Sequence, residues 1–519
     1  MIDFFKKYHK WLSIVLAFFI VTFALSGIFL NHRQTFSSVD ISRNILPKDY
    51  RYNNWNNAGV KSTLKLNSDS ILIYGNIGIW LTDSTFNEFS DFNQGFPKGI
   101  DNRKICKLFK SNTQEIFAGT YFGLYKFDSI SKSWIYIEIP ATQKRITDIF
   151  QKQDTTLILT RSHLLKTTDY KDFKIQKLPP PENYDNKIGL FKTLWVIHSG
   201  EVYGHIGKLV VDLVALIFIL LTVTGTTIFI NKYILKKNKK PQKKKRKLKL
   251  SNRRNLKWHN KIGWITAIIL IITTLTGIFL RPPLLAAIGN SRVNKIPYTE
   301  LATPNPWFDI LRKVFYDNEN ERYILATMNG FYYSDNDFNS ELKRYKVQPP
   351  ASVMGVNVFK KTETNTYLIG SFEGLFLWNP ENGEIFDYIK KEKYIAPKKK
   401  GRPIGDYLIT GYTDDFDNKE IYFDYNTGAA EVNKNGTFVK FPKNIKDNAP
   451  MSLWNLSLEF HTARIYQTII GDFYILIVPL VGLSILFIQI SGVIVWYVRF
   501  RKNSNGKGLK SKFYKNNNA

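Results

Sequence analysis

The sequence predicts an α-helical membrane protein with four transmembrane helices and an all-β extracytoplasmic region. Three observations carry that prediction. Four long apolar runs are free of charge, basic residues gather on one side of them, and a β-hairpin pattern recurs six times in the segments between them. At 519 residues the chain is long enough for several folding units.

The apolar runs are Trp11–Leu30, Leu213–Asn231, Ile262–Leu280 and Phe473–Val498. Each has about 19–26 residues, enough to cross a hydrocarbon core at about 1.5 Å per residue. Charge orients them. Between Lys232 and Lys257 stand fourteen Lys or Arg and no acid, and seven more basic residues follow the last run. With a net two from Lys6, Lys7 and Lys10 against Asp3, these account for twenty-three of the formal +30. All fall on one side of a four-span topology, so the positive-inside rule places both termini and the middle loop in the cytoplasm. The basic excess therefore reports topology and attraction to anionic lipid, not nucleic-acid binding. No A-x-A-like site follows the first run, which reads as an uncleaved anchor. Cys106 is the only cysteine, which excludes an internal disulfide, a CxxC redox pair and a cysteine-ligated iron–sulfur cluster.

The expected order is an N-terminus and first helix (1–32), a β segment (33–192), a second helix with a long lead-in (193–234) and a basic loop (235–257). A third helix (258–283), a second β segment (284–455), a fourth helix with its lead-in (456–500) and a basic tail (501–519) follow. Six copies of one pattern fill the β segments: a β-rich run, a tight turn usually holding glycine, a second run, then often Asp or Asn. They are SILIYGNIGIWLTD (70–83), EIFAGTYFGLYKFD (115–128), TLILTRSHLLKTTD (156–169), RYILATMNGFYYSD (322–335), TYLIGSFEGLFLWN (366–379) and EIYFDYNTGAAEVN (420–433). Their spacing of mostly about 40–55 residues is that of four-stranded propeller blades. About six blades drawn from both segments would make one β-propeller with few exposed edges. Two separate β domains are the alternative.

Six of the seven histidines sit at or near span ends: His9, His32, His198, His205, His259 and His461. His163 instead occupies a hairpin turn, where a structural role is expected. Span one echoes span three, since His9 precedes Gly27 by the same interval as His259 precedes Gly277. Spans two and four echo each other likewise, so His198 corresponds to His461. The chain reads as two copies of a helix, β segment, helix unit. Duplication then puts His9 and His259 at one membrane level and His198 and His461 at the other. Two imidazoles facing each other across a helix bundle suit a low-spin haem, whose iron takes one axial nitrogen from each side. Ser26-Gly27 and Thr276-Gly277 fall at the outer ends of their helices, Thr224-Gly225 and Ser491-Gly492 at the inner ends of theirs. Glycine there makes room for a flat macrocycle or for plain helix packing.

Zinc would need three or four clustered ligands, whereas these histidines come in twos. A straight helix from His198 to Asn231 would rise about 50 Å, more than a bilayer. Either Gly200, Gly204 and Gly207 fold His198 back, or His205 is the ligand. His32 is a weaker spare. Lys208 and Arg464, with Arg281 more distant, are candidates for haem propionates. Asp212 and Asp472 sit where a carboxylate needs a partner or a role in proton movement.

His9-x-Trp-Leu, His259-x-x-Ile-Gly, the His198-x-Gly200 run before span two and [Ser/Thr]-Gly in every span resemble the PepSY-associated transmembrane family. That family includes inner-membrane ferric-siderophore reductases and iron-regulated proteins carrying haem between helices. The resemblance implies two b-type haems on His9, His259, His198 and His461. It also implies a bacterial inner-membrane location with the β region periplasmic, a cytoplasmic reductant or quinol as donor, and a ferric chelate or other extracytoplasmic acceptor. Propeller-like repeats stand where PepSY modules are usual, and Thr-Ala follows His461 where a small residue and glycine are usual. The expectation is an electron-transfer protein; a membrane-anchored propeller sensor without redox activity is the alternative.

Overall fold

The computed structural model describes residues 1–237, 241–352, 354–362, 366–396, 405–416, 419–433 and 441–498. The basic tail expected at 501–519 lies outside them. The chain forms two compact units. One comprises Met1–Arg33, Asn186–Ala302 and Trp454–Ala519; the other comprises Gln34–Asp185 and Thr303–Leu453.

The first unit is helical. Its principal helices are α1 (Ile2–Val15), α2 (Ala17–Asn31), α3 (Leu190–Ser199), α4 (Gly204–Lys236), α5 (Gln242–Ile265), α6 (Ala267–Phe279), α7 (Leu453–His461) and α8 (Ile477–Trp496). Two segments, Glu201–Lys236 and Arg464–Trp496, are each long and apolar enough to cross a membrane. The pairs α1–α2 and α5–α6 meet the same test only together, because they bend by 60° and 67°. The described residues thus provide two spans, or four where each bent pair counts as one.

The bends fall at Leu16 and Thr266, the same distance after His9 and His259. Side-chain hydroxyls bond back into the ladder beside both: Ser13 Oγ donates to the His9 carbonyl (2.5 Å) and Thr266 Oγ1 to that of Ile262 (2.8 Å). Such back-bonding bends helices. The consequence is an exchange of partners. α1 packs on α8 but α2 packs on α4, while α5 packs on α4 and α6 on α8.

Two expectations about boundaries differ from the structure. The basic segment 235–257 is not a loop over its described length, since α4 runs to Lys236 and α5 starts at Gln242. Lysine and arginine are good helix formers, and buried Asn231 donates to Ser251 Oγ (3.2 Å), tying α5 to α4. Residues 186–192 and 284–302 join the helical unit, because Lys187–Gly189 pairs with Arg292–Asn294 as a two-stranded antiparallel ribbon.

The second unit holds both β segments. Six antiparallel meanders follow in chain order: residues 62–91, 105–137, 146–176, 311–344, 356–393 and 409–431. Four have four strands, the fifth has five and the sixth has three among the described residues. Each of the six repeated sequence patterns is the hairpin between the second and third strands of its sheet. The first strand of every sheet adjoins that of the next, and the sixth sheet's adjoins the first's. Buried clusters fill the gaps. One joins Ile71, Ile73 and Trp80 of the first sheet to Ile421 and Phe423 of the sixth. Others join Leu72 and Tyr74 to Leu108 and Ala118, and Leu325 to Leu159. The all-buried runs of the second strands follow from this, since each is covered on both faces by neighbouring sheets.

Candidate functional site

Four helices of the helical unit each carry one histidine, His9 and His259 within α1 and α5 and His198 and His461 in the last turns of α3 and α7, and the structure brings those histidines together in pairs. The rings of His9 (α1) and His259 (α5) lie 6.2 Å apart between centroids, at 88°. The rings of His198 (α3) and His461 (α7) lie 6.0 Å apart, at 53°. A metal–imidazole bond is about 2.0 Å and a ring nitrogen lies about 1.1 Å from its ring centre, so two imidazoles ligating one metal ion from opposite sides have centroids about 6.2 Å apart. Both spacings fit one ion between two rings.

Each imidazole is held in the same way. His9 Nδ1 donates to the Ile488 carbonyl (2.9 Å) and lies 3.1 Å from Ser491 Oγ. His198 Nδ1 donates to the Thr273 carbonyl (2.9 Å), with Thr276 Oγ1 at 3.4 Å. His461 Nδ1 donates to the Phe23 carbonyl (3.1 Å), with Ser26 Oγ at 3.0 Å. His259 Nδ1 bonds Thr224 Oγ1 (3.0 Å) and the Leu221 carbonyl. In all four the carbonyl lies three residues before the hydroxyl, and the hydroxyl immediately precedes the glycine. The hydroxyl itself donates into its own helix, as Ser26 does to Thr22 (2.7 Å) and Thr276 to Ile272 (2.8 Å). A carbonyl can only accept, so it fixes the proton on Nδ1 and leaves the Nε2 lone pair free, the tautomer a metal ligand needs.

The glycines make room for the imidazoles themselves. A Cβ on Gly277 would meet His198 Cε1 at 2.7 Å, and one on Gly492 would meet His9 Cε1 at 3.1 Å. At Gly27 against His461 and Gly225 against His259 the distance is 3.4 Å. Each of these four histidines therefore rests on a glycine from a span of the other pair, His9 and His259 on spans four and two, His198 and His461 on spans three and one.

The lead-in to α4 resolves the length problem. α3 ends at Gly200 in the left-handed conformation (φ 81°, ψ −5°), and a 3₁₀ turn, Glu201–Tyr203, reverses the chain into α4. Gly207 packs backbone to backbone against Gly200. His198 thus folds back to face His461. In the second half α7 ends the same way, with Ala463 at φ 59° and ψ 10° taking the place of Gly200.

His205 is elsewhere. Its ring lies 6.3 Å from that of His32, whose Nε2 bonds Asp212 Oδ2 (2.5 Å). Asn31 also donates to Asp212 (3.2 Å), so this carboxylate is partnered. Lys208 pairs with Glu201 (2.9 Å), and Arg464 forms a two-point pair with buried Glu459. Arg281 keeps a buried Nε with no hydrogen-bond partner among the described residues. Asp472 lies in the 3₁₀ segment Gly471–Leu476 that leads into α8. His163 sits at its hairpin turn, its backbone N–H donating to Thr160 Oγ1 (2.9 Å). Among the described residues no group of three or more His, Cys, Asp or Glu is placed to hold a metal ion. The carbonyls of Phe23, Leu221, Thr273 and Ile488 carry no sequence signal of their own; the repeated hydroxyl before each glycine was the available clue.

A sequence profile of the PepSY-associated TM region matches residues 6–499. A search of curated proteins found no match. Solved structures similar to the chain include the extracellular domain of a hybrid two-component system from B. thetaiotaomicron, 8% identical with a TM-score of 0.36 over 73% of this chain and 33% of that one. PorZ, a surface component of the type-IX secretion system of Porphyromonas gingivalis, is 9% identical with a TM-score of 0.31 over 71% and 38%. The computationally designed Ika8 protein is 7% identical with a TM-score of 0.31 over 73% and 97%. The chain spans about a third of the length of the first of these. At such scores the likenesses carry no argument.

Proposed function

The chain belongs to the PepSY-associated TM family, and from that premise we propose that it is a dihaem electron-transfer protein of the bacterial inner membrane. Its termini face the cytoplasm and its β unit, a six-bladed propeller, faces the periplasm. Electrons come from a cytoplasmic reductant or quinol and go to an extracytoplasmic acceptor, a ferric chelate by family resemblance. The observation that carries the reading is the fourfold repetition of one ligand device at two levels. His9 with His259, and His198 with His461, would each hold one b-type haem. The haem would supply one-electron chemistry.

The chain's own residues do the rest. The carbonyls of Ile488, Leu221, Thr273 and Phe23 hold each imidazole in the ligating tautomer and add electron density to it. The glycines let each ring approach its supporting helix. Between the levels Leu16, Ile20, Val481 and Ile485 form a buried apolar cluster that keeps water away. His9 and Gly27 belong to one bent pair, so the levels are separated by no more than about 27 Å of helix rise, and the bend shortens the direct path.

The test is spectroscopic. The protein is purified in mild detergent, its oxidised and dithionite-reduced spectra are recorded, and haem is titrated against protein. Reduced bands of bis-histidine b-type haem at about two per chain, halved in a His9→Ala, His259→Ala double variant, are expected. A protein that stays colourless after haem is supplied would sink the proposal and leave a membrane-anchored propeller sensor in its place.

A further inference from the structure

We propose that the β unit binds a small anion bearing two or more carboxylate or phosphate groups, at a cluster of Lys61, Arg145, Arg161 and Arg312 where the first strands of its sheets begin. The inference concerns the β unit alone and goes beyond the haem reading, which it does not need.

The topology gathers these cations. Lys61 immediately precedes the first strand of the first sheet, Arg145 that of the third, and Arg312 is the second residue of the fourth sheet's first strand. Arg161 lies in the third sheet's hairpin turn, and its carbonyl accepts from Leu311 N–H (3.0 Å). Tyr121, in the second sheet's hairpin turn, is the platform. The Arg145 guanidinium lies 3.9 Å above its ring and Lys61 Nζ 5.5 Å from it. The Arg312 stem lies on Gly355, where a Cβ would stand 2.7 Å from Arg312 Cδ.

The positive charge is only partly answered from within. Asp309 pairs with Arg161 Nε at 2.7 Å. Arg312 Nη1 bonds backbone, donating to the carbonyls of Asp309 (3.1 Å) and Leu311 (2.8 Å). The Arg145 guanidinium hydrogen-bonds Cys106, while its buried Nε has no hydrogen-bond partner among the described residues. Burial, with Arg161 and Arg145 as repelling neighbours, brings Arg312 down to about 9 although Asp309 opposes this. Like charges held together on rigid strand ends and short turns are costly unless something anionic completes them. Planar guanidinium forks match carboxylate and phosphate oxygens two at a time, which sets the ligand class. Among the described residues Asp309 is the carboxylate recorded against Arg145, Arg161 and Arg312, and several cations against it call for a ligand of more than one negative charge; their convergence calls for a small one.

The test is isothermal titration of the full chain in mild detergent at low salt, with citrate and pyrophosphate as separate probes and acetate as control. Saturable binding of citrate or pyrophosphate, weakened by salt and at least about tenfold weaker in Arg145→Gln or Arg312→Gln, is expected. The probe that binds tells carboxylate from phosphate. The same anion should raise the melting temperature of the parent protein more than sodium chloride of equal ionic strength does. Lys61→Gln, at the edge of the cluster, gives the same reading where a guanidinium variant does not fold. No saturable binding of either probe up to about 10 mM, acetate binding as tightly as citrate, or undiminished binding in the variants overturns the proposal. A colourless protein that binds citrate keeps this inference and removes the haem reading; a haem-loaded protein that binds neither probe does the reverse.

Discussion

Gly277 lies directly beneath the imidazole of His198, so close that a methyl group on it would stand 2.7 Å from Cε1. The contact joins two ends of the helical unit distant in sequence, and it sets how far α3 can settle onto α6. Gly277→Ala must push the ring away or tilt it, an overpacking cost of about 1–3 kcal/mol. Loss of about half the bound haem is expected on the proposed reading, with the inner pair unaffected. Gly225→Ala, whose Cβ would meet His259 at an ordinary 3.4 Å, should retain haem. Haem content per chain of the two variants checks the contrast.

His198 and His205 compete for the outer ligand position in sequence but not in space. His198 faces His461, whereas His205 faces His32, which is already committed to Asp212. On the proposed reading, His198→Ala should remove about one of two haems, and His205→Ala should leave haem content unchanged. Equal loss in both variants would contradict the pairing.

The reversal at Gly200 requires both a left-handed backbone and the absence of a side chain. At φ 81° an alanine costs about 1–2 kcal/mol, and its Cβ would also fall on the Gly207 carbonyl. Gly200→Ala is therefore expected to lower the melting temperature by several degrees and to release His198 from its site. Ala463→Gly, at the corresponding turn, relieves backbone strain but removes a fully buried methyl, so a change within about 1 kcal/mol is expected. Thermal unfolding followed by circular dichroism measures both.

In the β unit Asp317 is fully buried and joins the fourth sheet to the fifth. Lys361 Nζ lies 2.6 Å from Oδ1, while Tyr367 OH (2.5 Å) and Asn320 Nδ2 (2.7 Å) donate to Oδ2. Burial alone would raise its pKa, but these donors outweigh it and hold the carboxyl at about 2, below its ordinary 3.8. A depressed folded pKa stabilises above the ordinary value, and that stabilisation fades as pH falls from about 4 towards about 2. Asp317→Asn should cost about 2 kcal/mol at neutral pH, and the gap between parent and variant should close across that acid window. Denaturation at a series of pH values gives the comparison.

Much of the fold is legible from local pattern. The six hairpins appear in sequence because each second and third strand must be apolar on both faces and turn tightly between. The histidine, hydroxyl and glycine positions are legible because duplication repeats them at fixed intervals. The basic stretch misleads: lysines exposed to water suit a helix as well as a loop, and only the Asn231–Ser251 bond shows which is adopted. In the lead-in before span two, Gly200, Gly204 and Gly207 permit a reversal, but only the left-handed backbone at Gly200 shows that the chain makes it there.

The sequence by itself determined that apolar spans anchor a β-rich region, that the chain is a doubled unit, and which histidines and glycines recur. Those properties reside in composition and period, which survive without knowledge of contacts. Only the tertiary structure decided that His198 rather than His205 meets His461, that each of the four glycines lies against an imidazole, and that four cations from three sheets converge. These are relations between residues far apart in the chain. They depend on where helices bend at Leu16 and Thr266, where α3 reverses, and how six sheets adjoin, and packing sets those geometries rather than any local preference.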